Sequence, residues 1–188
     1  YHVNGASFPV TNTNDHGDGS LRKAILDANA SPGLDLIGFA IPATGVQTIN
    51  LESALPVIAD SVVIDGTTQS GYAGKPLIEL NGSNAGTGAN GLVITAGHTI
   101  VRGLVINRFI ATGAFDGMGI VLDVLGGNII QGNYIGLNAE GTLKSRNGGS
   151  GVAIYGLSSG NVIGGTGTAG RNVISGNGVS GIQVSTGS

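Results

Sequence analysis

Eleven carboxylates and three histidines are the acid–base inventory of this chain outside its Lys and Arg. Saccharide hydrolysis would require two carboxylates facing each other at a cleft. Eliminative cleavage would require clustered Asp and Glu around Ca²⁺, with an Arg or Lys base. The acids are Asp15, Asp18, Asp27, Asp35, Glu52, Asp60, Asp65, Glu79, Asp116, Asp123 and Glu140, spread thinly along the sequence. No Asp-Asp pair, Gly-His-Gly or Arg-x-Lys occurs, and His98 stands in a turn, Gly97-His98-Thr99. Cysteine is absent and no Asp motif repeats, so neither a thiolate metal site nor calcium is supported. No catalytic residue, metal ligand or cofactor is assigned. One pair is singled out: Asp65 and Arg102 hold the same place in a recurring [Ile/Val]-[Ile/Val]-x-Gly pattern, as does Gln131. Stacking would bring Asp65 and Arg102 together on the outer surface. They would form an acid–base pair in a groove, or an exposed ion pair of little energetic weight.

Composition removes other classes. Lys and Arg total eight and the net charge is -3, too little basic charge for a nucleic-acid partner. Glycine accounts for 36 of 188 residues but not at every third position, which excludes collagen. Hydrophobic residues make up 40% and mean hydropathy is +0.27, enough for a folded core. No apolar run reaches the roughly 18 residues needed to span a bilayer. The start, Tyr1-His2-Val3, is neither a basic nor an apolar leader segment.

The elements that must position any site are short. Runs of Val, Ile and Leu bounded by Gly or Asn read as strands between tight turns. They recur. Gly91, Gly119, Gly151 and Gly181 each open one such unit, at spacings of 28, 32 and 30 residues. A second series is Thr99-Ile100-Val101, Asn128-Ile129-Ile130 and Asn161-Val162-Ile163. A third is Leu104-Val105-Ile106, Asn133-Tyr134-Ile135 and Asn172-Val173-Ile174. Three strands per period of roughly 30 residues, always in one order, predict an all-β, right-handed parallel β-helix, a three-sheet solenoid. Inward side chains would stack as aliphatic columns. Asn128, Asn133, Asn161, Asn172 and Asn177 read as corner residues in stacked ladders.

Residues 1–60 read as an N-terminal cap and 61–188 as coils. Leu21, Ala24, Ile25 and Ala28 follow helical spacing, which predicts a helix over about 20–30 with Ser20 as N-cap and Pro32-Gly33 as its stop. This amphipathic helix would cover the first coil, and irregular strands would follow it. The repeat is still running at Gln183–Ser188. The expected partner at that end is a further set of coils, a neighbouring domain or a subunit.

Val10-Thr11-Asn12-Thr13-Asn14-Asp15, followed by Gly19-Ser20-Leu21-Arg22-Lys23-Ala24-Ile25, resembles the N-terminal signature of large bacterial surface proteins of the CSLREA-type, right-handed β-helix repeat group. Ile64-Asp65-Gly66-Thr67-Thr68-Gln69, Gly132-Asn133-Tyr134-Ile135-Gly136 and Arg171-Asn172-Val173-Ile174-Ser175-Gly176-Asn177 are similar to later signatures of that group. The chain departs from it in having no Cys before Ser20. The resemblance implies an extracellular or bacterial cell-surface location, within a long multidomain chain. It implies no single activity.

Segments 108–118, 137–150 and 176–180 each join the third strand of the pattern to the next coil, so they would emerge along one edge. Repeat proteins bind through such insertions. Arg108, Phe109, Asp116, Asn138, Glu140, Lys144 and Arg146 form the candidate binding ledge, with a polysaccharide or a host or cell-surface molecule as its ligand. Trp, the flat aromatic often used for sugars, is absent. The function expected is a non-enzymatic structural or adhesive module. The alternatives are a lyase or glycoside hydrolase acting on uronate-rich polysaccharide, and carbohydrate binding without cleavage.

Overall fold

The computed structural model describes residues 4–185. Tyr1–Val3 and Thr186–Ser188, on which the readings of the chain start and of the last repeat residues partly rest, lie outside the described residues. The first coil holds β1 (Asp35–Gly38) and β2 (Gln47–Asn50). The second holds β3 (Val62–Asp65), β4 (Ile78–Asn81) and β5 (Leu92–Ile94). The third holds β6 (Ile100–Arg102), β7 (Leu104–Asn107) and β8 (Ile120–Leu122). The fourth holds β9 (Ile129–Gln131), β10 (Tyr134–Ile135) and β11 (Val152–Tyr155). The fifth holds β12 (Val162–Ile163), β13 (Val173–Ile174) and β14 (Ile182–Ser185).

The second to fifth coils each give one strand to each of three parallel sheets, and the first gives one to each of two of them; the orders are β1-β3-β6-β9-β12, β2-β4-β7-β10-β13 and β5-β8-β11-β14. The expected β-helix is the fold found. The first coil reaches the third sheet only through a parallel bridge from Ile58 to Ile94. Registers stack the aliphatics in columns: Ile37, Ile64, Val101 and Ile130 in one, and Ile49, Leu80, Ile106 and Ile135 in the next. All eight are fully buried. Burying such a side chain contributes about 1.5–3 kcal/mol, so the columns are a main source of the fold's stability.

Helix α1 (Leu21–Asn29) buries Leu21, Ala24, Ile25 and Ala28 and packs on β1. The Ser20 side chain accepts a hydrogen bond from the Lys23 amide, as the cap reading expects. Before the helix, Ser7 and Val10 pair in parallel with Leu36 and Phe39. The chain therefore touches the first sheet, crosses as α1, and only then begins to coil.

Corner asparagines link one coil to the next. The Thr99 amide donates to Asn128 Oδ1 at 2.9 Å, and the Asn128 amide to Asn161 Oδ1 at 3.0 Å. The Leu104 amide donates to Asn133 Oδ1, and the Asn133 amide to Asn172 Oδ1, both at 3.0 Å. A third ladder joins Asn147 Nδ2 to Asn177 Oδ1 at 3.0 Å. These bonds supply partners for corner groups that the sheets leave unpaired.

Candidate functional site

The corner between the first and second sheets has unequal lengths. In the third coil a single residue, Gly103, separates β6 from β7; in the fourth, Gly132 and Asn133 separate β9 from β10. Both glycines take left-handed φ, 71° and 64°, which makes so short a corner accessible. The second and fifth coils instead insert 66–77 and 164–172 at the same place. Long loops on either side of two short corners leave a cleft. Its walls are three coil steps apart, about 14 Å at the usual strand spacing.

The cleft has a volume of about 420 Å³ and is lined by Thr67, Tyr72, Arg102, Gln131 and the glycine-rich 165–170 segment. Beneath it, Asp65, Arg102 and Gln131 stand in register on β3, β6 and β9. Asp65 and Arg102 form the ion pair that their shared sequence position suggested. Only the Arg102 half of the pair reaches the surface, in the cleft, whereas Asp65 is 3% exposed. The turn at Gly66–Thr68 folds back over it, and Asp65 Oδ1 accepts from the Thr67 amide and hydroxyl at 3.0 and 2.6 Å. The Asp65 carboxylate is thus a buried anchor for the Arg102 guanidinium. Gln131 Nε2 donates to the Gly164 carbonyl at 2.9 Å, tying the floor to the far wall. Burial pushes the Tyr72 phenol above its ordinary value, reinforced by the Asp65 charge and opposed by Arg102. Tyr72 therefore stays neutral and presents a donor and a flat face at neutral pH.

Among the described residues, the cleft lining contains hydroxyl, amide, guanidinium and phenol groups and no carboxylate. That set can hold a polar, uncharged or anionic ligand. It contains no facing pair of carboxylates for glycoside hydrolysis.

The candidate ledge divides. Arg108, Lys144 and Arg146 come together around a second cavity of about 570 Å³, at the other end of β7. Phe109 also lines it, but its side chain is 1% exposed. Arg108 takes a left-handed φ of 62°, which turns the chain inward. The Phe109 ring then fills space left by Gly82 and Gly91; a Cβ at either would meet ring atoms at 2.4 and 3.0 Å. Asp116, Asn138 and Glu140 serve their own loops. Asp116 accepts from the Thr112 hydroxyl and from the amides of Thr112 and Gly113, and these bonds hold its carboxyl below the ordinary value. Asn138 accepts from the Thr142 and Leu143 amides and donates to Glu140.

Two groupings were not anticipated from the sequence. On the outer face of the second sheet, Glu79 accepts from Thr48, Asn107 and Arg108, at 2.7, 2.7 and 3.1 Å. Burial raises its pKa, but these three donors more than offset that and hold it below 4.5. The depressed folded value means that the stabilisation from Glu79 is complete above about pH 4.5 and disappears as pH falls through the lower folded pKa. Glu79→Gln should lower the urea midpoint at pH 7 and flatten its acid limb, the fall below about pH 4.5, so that variant and parent converge in acid. An unchanged acid limb would show that Glu79 is not a source of it.

In the cap, atoms of Asp15, His16 and Glu52 lie within 4.8 Å of one another. The Asp15 carboxylate also receives Arg22 Nη2 on both oxygens, at 2.8 and 3.0 Å. Arg22 Nη2 donates further to the Ser53 carbonyl, and Nη1 to the Ala54 carbonyl. This network ties the helix to the loop beyond β2.

At the far end, the fifth coil leaves core positions open. Ile182 and Val184 continue the columns of Val152 and Ile154, yet they are 46% and 68% exposed.

The fold and cleft define a class: a capped, three-sheet parallel β-solenoid with a polar corner cleft spanning several coils. No protein-family model matches the chain, and comparison with curated proteins finds no match. No helix among the described residues is long and apolar enough to cross a membrane.

Proposed function

We propose that this chain is a non-catalytic adhesive module that holds a saccharide chain in the corner cleft, and that it works as a rigid part of a secreted or bacterial surface protein. One observation carries the binding reading. A cleft about 14 Å wide is built from backbone corners rather than from mobile loops alone, and its lining offers hydrogen-bond donors and acceptors beside a neutral phenol. The engagement of Asp65 with Thr67 and Arg102 supports a positioning role for that carboxylate rather than an acid–base one. The surface location rests on the resemblance to β-helix repeat proteins. The exposed Ile182 and Val184 support stacking of a further coil, domain or subunit on that end.

The test is a panel of pectate, alginate, glycosaminoglycans and neutral glucans, followed by calorimetry for binding and by new reducing ends and ultraviolet absorbance for cleavage. At least one member should bind without turnover. Tyr72→Ala and Gln131→Ala should each weaken that binding by about tenfold, equivalent to about 1.4 kcal/mol. Turnover above a heat-killed control would overturn the non-catalytic reading. Affinity unmoved by both substitutions would remove the cleft from the account.

A further inference from the structure

We infer that the cavity formed by Arg108, Lys144 and Arg146 is an oxyanion site, taking a carboxylate or sulfate carried by the saccharide chain held in the corner cleft. The inference rests on the saccharide reading above and names the chemical class that the ligand must belong to.

The charge distribution is the first ground. The chain is net acidic, at -3, with eight Lys and Arg in all. Three of those eight line this one cavity, and its described lining contains no Asp or Glu. Like charges gathered in one concavity raise the local potential and draw anions. Among the described residues, Lys144 and Arg146 form no ion pair with an acid that would cancel it.

The second ground is how the three side chains are held. Arg108 is in the left-handed region at φ 62°, a conformation that costs a non-glycine residue free energy and that recurs at functional sites. Its Nη1 donates to Glu79 Oε1 and Asn107 Oδ1, both at 3.1 Å, which fixes the guanidinium by one nitrogen. No described residue accepts from its Nε or Nη2. Those two donors form the edge that binds an oxyanion through two parallel bonds. Lys144 and Arg146 lie over glycines of the next coil. A Cβ at Gly176 would come within 2.9 Å of Lys144 Cγ, and one at Gly178 within 2.6 Å of Arg146 Nη2. Three successive coils thus contribute to the site: one supplies Arg108, one Lys144 and Arg146, and one the two glycines that seat them.

The third ground is placement. The cleft at Gly103 and the cavity at Arg108 stand at opposite ends of β7. The four residues of β7 lie between them, a span of five residue steps or about 16 Å. A saccharide chain lying along the second sheet could occupy both. The cleft would read its hydroxyls and the cavity its charge.

The experiment uses the 188-residue chain and four probes: an oligogalacturonate, its methyl ester, a sulfated galactose oligosaccharide and poly-glutamate. Affinities are measured by calorimetry at low and physiological salt. The charged saccharides should bind about tenfold more tightly than the methyl ester at low salt, and the difference should shrink as salt rises. The Lys144→Gln/Arg146→Gln double variant should bind them no better than it binds the ester, with thermal stability unchanged. The carboxylated and sulfated arms show which oxyanion is preferred. A preference for charge that survives the double variant would overturn the oxyanion site and leave the cleft standing. Poly-glutamate binding more tightly than either saccharide would assign the cavity to an acidic peptide. Binding of no saccharide at all would overturn both readings together.

Discussion

Asn133→Asp should lower the stability of the fold by about 3 kcal/mol or more at pH 7, although the two side chains have nearly the same shape. Asn133 is fully buried. Its Oδ1 accepts from the Leu104 amide at 3.0 Å, and its Nδ2 donates to the Val101 carbonyl and to Asn172 Oδ1 at 3.0 and 3.2 Å. A carboxylate keeps the first bond and turns the other two into contacts between acceptors. It also buries a charge with no cation against it. The penalty should depend on pH in a diagnostic way. A buried, poorly partnered carboxyl has a folded pKa above its unfolded value of about 3.9. The folded state then binds the extra proton, so stability falls as pH rises from about 4 towards the folded pKa. The variant should approach the parent below about pH 4, where a protonated acid can still donate one bond. Urea midpoints at pH 4 and pH 7 provide the check. Equal midpoints for variant and parent at pH 7 would show that the ladder has no such weight.

The second large effect concerns the cap. Leu21→Asp with Ile25→Asp should abolish the soluble monomer. Both parent side chains are fully or almost fully buried under the first coil, at 0% and 1% exposure. Two carboxylates placed there would cost more than about 5 kcal/mol, comparable to the whole stability of a typical domain. Detachment of α1 would also uncover Ile37 and free the preceding segment, whose Ala6, Phe8 and Val10 backbone groups now cover the edge of β1, leaving that edge ready to add a foreign strand. Light scattering and far-ultraviolet dichroism should report aggregation and loss of strand signal. Leu26→Asp is the control: it adds charge to the same helix at a position already 50% exposed, and should be silent. An unchanged melting temperature and a monomeric elution profile for the double variant would refute the capping role.

The sheets were legible because their signal is local and repeated. A triplet such as Ile100-Val101-Arg102 is weak evidence alone, but it becomes strong when Ile129-Ile130-Gln131 follows 29 residues later in the same order. Helix α1 was legible for the complementary reason: its period changes from strand-like to helical between Ser20 and Asn29. Four features were hidden. Asn147 belongs to a corner ladder with Asn177, but no β-branched pair follows it, so it does not look like the others. The burial of Asp65 depends on a turn that folds back, and register alone predicts an outward side chain. Phe109 enters the core because Arg108 adopts a conformation ordinarily left to glycine. The cleft is a property of no single segment. It arises from a difference between the one- and two-residue corners at 103 and 132–133 and the insertions at 66–77 and 164–172. The signal was present, in corner lengths compared across aligned repeats, but only once the repeats themselves had been aligned.

The strands lie across the solenoid, so the hydrogen bonds between coils run along its long axis. A pull on the two ends would therefore load these bonds in tension rather than in shear, and the interfaces would act as links in series. They are not equally strong. β3 and β4 meet their neighbours over three or four residue pairs, whereas β12 and β13 each meet theirs over two. The third sheet runs the other way, since β11 meets β14 over four pairs. Between the fourth and fifth coils the two narrow sheets would open first, and the third would act as the hinge about which the last coil swings.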